Sequence, residues 1–313
     1  MKRVLVMIGS RANYASIKSV MRAISMHPEL SLLTSCFASA TLAKFGKVQD
    51  VIEKDGFQVN AEVSSQIEGD SVGSMAESTG LALLKLPQIF LTLKPDIVLT
   101  VGDRYETLAT AVASAYMNIP LAHTMGGELT GSIDESVRHA ITKLSNLHFP
   151  ATEKSAEILR KLGENPKSIF NVGCPRIDLA KSTMRDESLG EDFSLSLGVG
   201  DKIDFSLPFL VVSQHSVTTE YLDADAQIAE TMIAVRKSGL PTVVLWPNAD
   251  AGGDRISQYL RMMREQGVTN KLHFYRNLPA EVYMWLLQRT KCLIGNSSSG
   301  IREGAFLGTP VVN

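Results

Sequence analysis

Cysteine is scarce. Cys36, Cys174 and Cys292 are the three in 313 residues, and no two are close enough to form a CxxC pair or a metal knuckle. The odd count argues against a disulfide framework and fits a reducing compartment. Each lies at or near an apolar run, which reads as a buried thiol. Long apolar runs are also missing. The start, MKRVLVMIGSRAN, has a positive tip, but its apolar stretch breaks off at Gly9-Ser10-Arg11, too short for a signal peptide. No run approaches the roughly 18 residues of a membrane span. A cytoplasmic protein without membrane attachment is expected. Neither charge sign dominates: 31 Lys and Arg stand against 33 Asp and Glu, for a net charge of -2. A broad basic face is therefore not implied, and nucleic acid is not an expected partner. GxGxxG, GxxxxGK[ST] and HExxH are all absent, so no dinucleotide fingerprint, Walker loop or zinc-protease helix is present. No metal or cofactor is expected.

What remains is a core-forming chain. Hydrophobic residues make up 44%, and the length suits two compact domains or one large one. Short apolar runs alternate with helical patterns of about a dozen residues, the mark of βαβ units whose strands are buried on both faces. RVLVMIG, LSLLTSCF, PDIVLTVG and IPLAH read as strands, and LHFP and SIFNVG close the first series. ASIKSVMRAISMH, ETLATAVASAYMN and SVRHAITKLSN read as helices. Residues 60–86 begin polar, with a loop, and become helical only near their end. Residues 185–208 look like an irregular interdomain crossover. The pattern then resumes: FLVVSQH, PTVVLWPN, KLHFYRN, KCLIGN and TPVVN as strands, with DADAQIAETMIAVRKSG, GDRISQYLRMMREQG, PAEVYMWLLQRT and SGIREGAFLG as helices. A TIM barrel also fits the alternation, but the crossover favours two domains, 1–180 and 181–313. The second reads as incomplete at its C-terminus.

Polar clusters follow several strands, where loops of open α/β sheets face ligands. In GSRANY, Arg11 sits near a helix N-terminus and suits a phosphate or carboxylate; a surface arginine and capping turn is the plain alternative. In NSSSGIREG, the hydroxyls of Ser298 and Ser299, Gly300 and the helix-start N–H groups suit an anion, and Glu303 suits a ribose hydroxyl pair. An ordinary serine cap is the alternative. Asp103, Glu128 and Asp134 come from successive loops of one sheet. Carboxylates gathered in a cleft suit acid and base work; capping and loop support is the competing reading. Arg138 lies i,i+4 from Asp134 and i,i+3 from Glu135, close enough to pair on one helix face. His215 suits a phosphate or a share of proton work, and Asn277 could border a nucleobase. His148, His273, Trp246 and Trp285 read as packed, and His27 as structural.

Taken together, GSRANY, GDRYET, HTMGGELTGSIDESVRHAITKLS, VGCPRID and GNSSSGIREGAFLGTPVVN resemble the hydrolysing UDP-N-acetylglucosamine 2-epimerases, within the broader UDP-GlcNAc 2-epimerase family. The likeness runs from Arg3 to Asn313. It implies an α/β protein of GT-B architecture, two Rossmann-like domains facing across a cleft that holds a UDP-sugar. It implies conversion of UDP-GlcNAc or a related UDP-2-acetamido sugar, with water, to UDP and the free 2-epimer (N-acetylmannosamine for UDP-GlcNAc), through a 2-acetamidoglucal intermediate. It also implies no nicotinamide cofactor, and a homodimer. By motif position, Asp103, Glu128 and Asp134 become the acid/base group, and Arg11 the diphosphate arginine. His215, Ser298 and Ser299 take the phosphates, and Glu303 the ribose. Two positions depart from the pattern. Met125 stands where relatives often carry a polar residue; a methionine cannot transfer a proton, so either the position is dispensable or the sugar face is more apolar, which would favour a diacetamido substrate such as UDP-diacetylbacillosamine. Asn13 stands where an acidic residue is frequent, which removes charge near the donor site. The alternatives are a non-hydrolysing epimerase, a glycosyltransferase of the same fold, which would need an acceptor, and a silent UDP-sugar binder, which would release no sugar.

Overall fold

A computed structural model describes residues 1–184, 186, 189, 198–276 and 278–313. Asn277 and, within the expected crossover 185–208, most of residues 185–197 lie outside the described residues. The chain forms two compact units: Met1–Glu68 with Val72–Arg176, and Gly69–Ser71 with Ile177–Asn313.

The first unit is built on a six-stranded sheet of order β3-β2-β1-β4-β5-β6, with β1 Lys2–Ile8, β2 Leu30–Phe37, β3 Ala61–Val63, β4 Ile97–Val101, β5 Leu121–Thr124 and β6 Leu147–Phe149. Every pairing is parallel. The strand β1 shows why. Val4, Val6 and Ile8 face one layer, where Tyr14, Ile17, Met21 and Ile24 of α1 (Arg11–Met26) pack. Leu5 and Met7 face the other, against Leu86 and Phe90 of α3 (Val72–Leu93). A strand covered on both faces has no polar side to keep, so its sequence is continuously apolar. The spacing of Ile17, Met21 and Ile24 along α1 puts one stripe on the sheet. Fully burying each such side chain contributes about 1.5–3 kcal/mol. Ser10 caps α1 by accepting from the Asn13 N–H at 3.3 Å. The helix stops at His27, before Pro28.

Several segments differ from the sequence reading. The stretch 60–86 contains β3 and most of α3, which starts at Val72 and runs through Pro87. Proline lacks the N–H for a helical bond. Ala82, Leu86 and Phe90, buried at i, i+4 and i+8, anchor the helix on the sheet despite it. A short helix, α2 (Val48–Lys54), was not expected, and SIFNVG yields only an isolated bridge, His148 to Ile169, in place of a strand. Cys174 and Cys292 are only partly buried, while burial, with Glu62 and Glu53 nearby, pushes the Cys36 thiol up to about 12.

In the first unit α4 (Tyr105–Tyr116), α5 (Ile133–Leu144), α6 (Glu153–Lys161) and α7 (Pro175–Thr183) complete the helices; α7 crosses the division between the units. The second unit's sheet has the order β12-β11-β8-β9-β10-β7. Its strands are β7 Val199–Gly200, β8 Leu210–Val212, β9 Thr242–Leu245, β10 Leu272–Tyr275, β11 Cys292–Ile294 and β12 Val311–Val312. β7 is the antiparallel edge. Val211, Val243, Tyr275 and Leu293 pack on Trp285, Leu286 and Leu287 of α10 (Ala280–Arg289). The opposite face packs on α8 (Ala224–Ser238) and α9 (Gly253–Glu265) through Ile228, Met232, Ile256 and Leu260. The Asp70 carboxylate caps α9, accepting from Asp254 and Arg255 N–H at 3.1 and 3.3 Å. Both units are thus Rossmann-like, the pattern of a GT-B fold. Among the described residues no helix is long and apolar enough to cross a membrane.

Candidate active site

In each sheet the strand order reverses at one point, the place where open α/β sheets as a class bind ligands. In the first unit that point lies between β1 and β4. The loop after β1 carries Gly9, Ser10 and Arg11; the loop after β4 carries Gly102, Asp103 and Arg104. These two loops are clasped together. Asn13 is buried; its Oδ1 accepts from the Gly9 N–H at 3.1 Å and its amide donates to the Val101 carbonyl at 3.3 Å. The Asn13 amide supplies an acceptor to one loop and a donor to the other, so Asn13 is a structural clamp. This corrects its reading as a charge missing from the ligand site. Glu106, also buried, accepts from Arg104 Nε at 2.7 Å. A Cβ on Gly9 would lie 2.5 Å from Glu106 Cγ, so the close approach of these loops requires glycine. Arg11 is the first residue of α1, at the positive end of the helix dipole.

The loop after β5 brings in the third strand. His123 is fully buried, and its Nε2 lies 2.7 Å from the Gly102 carbonyl. A carbonyl only accepts, so Nε2 carries the proton and Nδ1 is left to accept from Thr142 Oγ1 at 3.3 Å. Burial pushes the imidazole down to about 4, with the Gly102 hydrogen bond opposing, so it is neutral near pH 7. Gly127 has φ +79°, and a Cβ there would collide with the Ser155 carbonyl. Met125 is buried in the apolar layer beside α1, at φ +64°. It is a packing residue, which removes the basis for reading it as a wall of the sugar site.

Arg138 joins these loops. Its side chain is 1% exposed. Nη1 donates to the Glu128 carbonyl at 2.6 Å, and Nη2 pairs with Asp103 Oδ2. Sequence spacing pointed to pairs with Asp134 or Glu135; the guanidinium reaches across to Asp103, 35 positions away. Glu135 instead accepts from the Thr130 N–H at 2.6 Å. Asp103 and Glu128 are therefore neighbours through one guanidinium. Asp134 stands in the first turn of α5, one turn before Arg138. All three are partly exposed.

In the second unit the reversal lies between β8 and β11. Here His215 and Asn296 exchange two hydrogen bonds: His215 N–H to Asn296 Oδ1 at 2.8 Å, and Asn296 Nδ2 to the His215 carbonyl at 2.9 Å. His215 Nδ1 accepts from the Asn248 N–H at 3.3 Å, which puts the proton of the neutral ring on Nε2. The serine loop differs from expectation. No long helix opens at Ser297; a 3-10 turn, Ser298–Gly300, precedes α11, only Glu303–Leu307. Ser299 is turned inward, its hydroxyl 2.5 Å from Tyr283 Oη and 2.8 Å from Ser297 Oγ, and Gly300 is buried behind it. Ser298 is the exposed hydroxyl of the pair. Glu303 is fully buried at the head of α11. Asn248, Asn296 and Tyr283 escaped the sequence reading, although Asn296 sits within the quoted GNSSSG. Among the described residues no cluster of three or more His, Cys, Asp or Glu side chains has a metal-holding arrangement.

The profile of the UDP-N-acetylglucosamine 2-epimerase family matches residues 23–313. The chain belongs to this family. Among family relatives it is 30% identical over 315 residues to the UDP-N,N'-diacetylbacillosamine 2-epimerase (hydrolyzing) of Legionella pneumophila, spanning all of this chain and 80% of that protein. It is also 30% identical over 317 residues to the UDP-N-acetylglucosamine 2-epimerase of Neisseria meningitidis, spanning all of this chain and 79% of that one. Its fold matches the crystal structure of UDP-GlcNAc 2-epimerase from Neisseria meningitidis bound to UDP-GlcNAc, with a TM-score of 0.77 at 17% identity over 99% of this chain and 82% of that one.

Proposed function

We propose that this epimerase-family chain acts on a UDP-2-acetamido sugar and releases it as the free 2-epimer, with UDP as second product. The observation that carries this reading is the junction of Asp103 and the Glu128 loop on Arg138, at the strand reversal of the first sheet. A sugar C2–H is a weak acid, so its base must be held close and well oriented. Asp103, Glu128 and Asp134 form the acid–base group. As the C2 proton leaves, its electron pair forms the C1–C2 double bond and the C1–O bond breaks, with UDP departing on its oxygen. Water then adds its oxygen at C1, and a proton returns to C2 from the opposite face. In the first unit Arg11, and in the second the Nε2–H of His215 and the hydroxyl of Ser298, each suit the charge of a departing diphosphate. Glu303, next to the serine turn, takes the ribose, and Asn277 borders the base. Ser299 and Gly300 shape the turn that presents Ser298. A homodimer in the cytoplasm completes the proposal.

The hydrolytic outcome draws on the Legionella relative, whose name carries that word; the Neisseria relative's name does not. A second reading follows: UDP re-adds to the intermediate in place of water, returning an epimerised UDP-sugar. A screen of UDP-2-acetamido sugars, with NMR of the products, separates the two. Free 2-epimer with equimolar UDP is the expected result. A UDP-sugar epimerised at C2 with no free sugar decides for the second reading, and neither product removes the epimerase assignment.

A further inference from the structure

We propose that α5 is a positioning clamp for the acid–base group: Arg138 and Thr142, one turn apart, fix the loop after β4 and the loop after β5 relative to one another. The inference rests on the functional reading above, since it concerns the side chains that reading assigns to the C2 proton.

Two struts leave the same helix. From Arg138, one nitrogen binds the carboxylate of Asp103 and the other binds the backbone carbonyl of Glu128 at 2.6 Å, with Thr130 Oγ1 at 3.5 Å. From Thr142, the hydroxyl meets His123 Nδ1 at 3.3 Å, and His123 Nε2 meets the Gly102 carbonyl at 2.7 Å. The peptide before Asp103 and the side chain of Asp103 are thus held separately, each tied to α5. Arg138 also holds the Glu128 peptide, so the two carboxyl-bearing residues share one anchor. Both struts are buried: Arg138 and His123 are 1% and 0% exposed, and Thr142 is 0% exposed. Water reaches the pair only from the Asp103 side, which is 24% exposed, and a guanidinium presents its donors in a fixed planar fork. A lysine carries the charge at a single point and cannot span Asp103 and the Glu128 carbonyl in the same geometry. Arg138 reaches the reaction through Asp103 and Glu128 and is a positioning residue.

The experiment uses the full chain with UDP-GlcNAc, or with whichever UDP-2-acetamido sugar turns over fastest, and compares Asp103→Asn, Arg138→Lys, Thr142→Val and the Asp103→Asn/Arg138→Lys double variant. Misplacement by about 1 Å costs on the order of 100-fold in rate. Arg138→Lys is expected to lower kcat by about that factor while KM and UDP affinity stay within about threefold, since the diphosphate contacts are elsewhere. Thr142→Val, which keeps every charge and the side-chain shape, is expected to lower kcat by roughly three- to tenfold at unchanged KM. The double variant is expected to lose clearly less than the product of the two single losses, because part of the Arg138 effect passes through the Asp103 carboxylate and the rest through the Glu128 peptide. Multiplying losses in the double variant, or a loss confined to KM, would overturn the clamp. Should Arg138→Lys fail to fold, Thr142→Val decides: wild-type kcat there contradicts the proposal. Full turnover in Asp103→Asn points instead to a failure of the functional reading. Slow Asp103→Asn with wild-type Arg138→Lys leaves that reading standing and removes the clamp.

Discussion

At the residue scale, side chains that look alike in sequence do different work. Arg11 stands at a helix N-terminus; Arg138 is buried and committed to Asp103 and the Glu128 peptide. Their neighbours therefore predict opposite kinetic signatures. Glu128→Gln is expected to lower turnover by at least 100-fold while UDP affinity by calorimetry is nearly unchanged. Arg11→Ala is expected to weaken UDP binding by roughly tenfold or more, and equal affinity would put that side chain elsewhere. Asn13 gives a stability prediction. An aspartate there would still accept from Gly9 N–H but would turn a carboxylate oxygen toward the Val101 carbonyl in a buried site. A lost buried hydrogen bond costs about 1–3 kcal/mol, and Asn13→Asp is expected to lower unfolding free energy in urea by that order. Unchanged stability would remove the clamp. Legibility at this scale was uneven. GDR, GGE and the serine loop stood out because polar residues directly after an apolar strand have few structural reasons to be there. Arg138 was misread because helical spacing offers Asp134 and Glu135, while its actual partner arrives from another strand end.

At the element scale, long periodic segments were readable and short ones were not. The strand β1 and the helix α1 declare themselves through uninterrupted apolar residues and a 3.6-residue stripe. The strand β3 is three residues long and the strand β7 two; neither is long enough to show a period, and each exists because a neighbouring strand offers its edge. In α3, Pro87 hides a helix that burial against the sheet sustains. The helix α5 supplies the prediction here, through His123. Its folded-state value is depressed from 6.5 to about 4 by burial, with the Gly102 hydrogen bond and Asp103 opposing and His148 and Arg138 adding to the fall. The unfolded chain therefore binds a proton below about pH 6.5 that the folded chain refuses until near pH 4. Stability is complete above pH 6.5 and is lost as pH falls toward 4, by on the order of 3 kcal/mol for this group. His148 is depressed as well, chiefly by burial and despite Glu164, and adds in the same direction. Urea titrations from pH 7.5 to 4 on the protein and on His123→Gln check this. The variant should lose part of the slope, and an identical slope would mean that His123 takes up its proton alike in both states.

At the scale of the whole molecule, the fold needed little beyond the sequence, because two successive βαβ series separated by an irregular crossover describe two Rossmann-like units. Both sheets place their polar loops at a strand reversal. The first ties the Asp103 carboxylate and the Glu128 peptide to one buried guanidinium; the second collects a histidine, asparagines and serines, with the Ser297 and Ser299 hydroxyls spent on one another. The hydrolytic and non-hydrolytic readings share a first step, loss of the C2 proton. The most direct test is turnover of UDP-GlcNAc in deuterium oxide, with NMR of the product at C2. One deuterium at C2 of an inverted product is expected, with incorporation at least 100-fold slower in Asp103→Asn and Glu128→Gln. An inverted product that keeps its original hydrogen, or wild-type incorporation in both variants, would contradict the account.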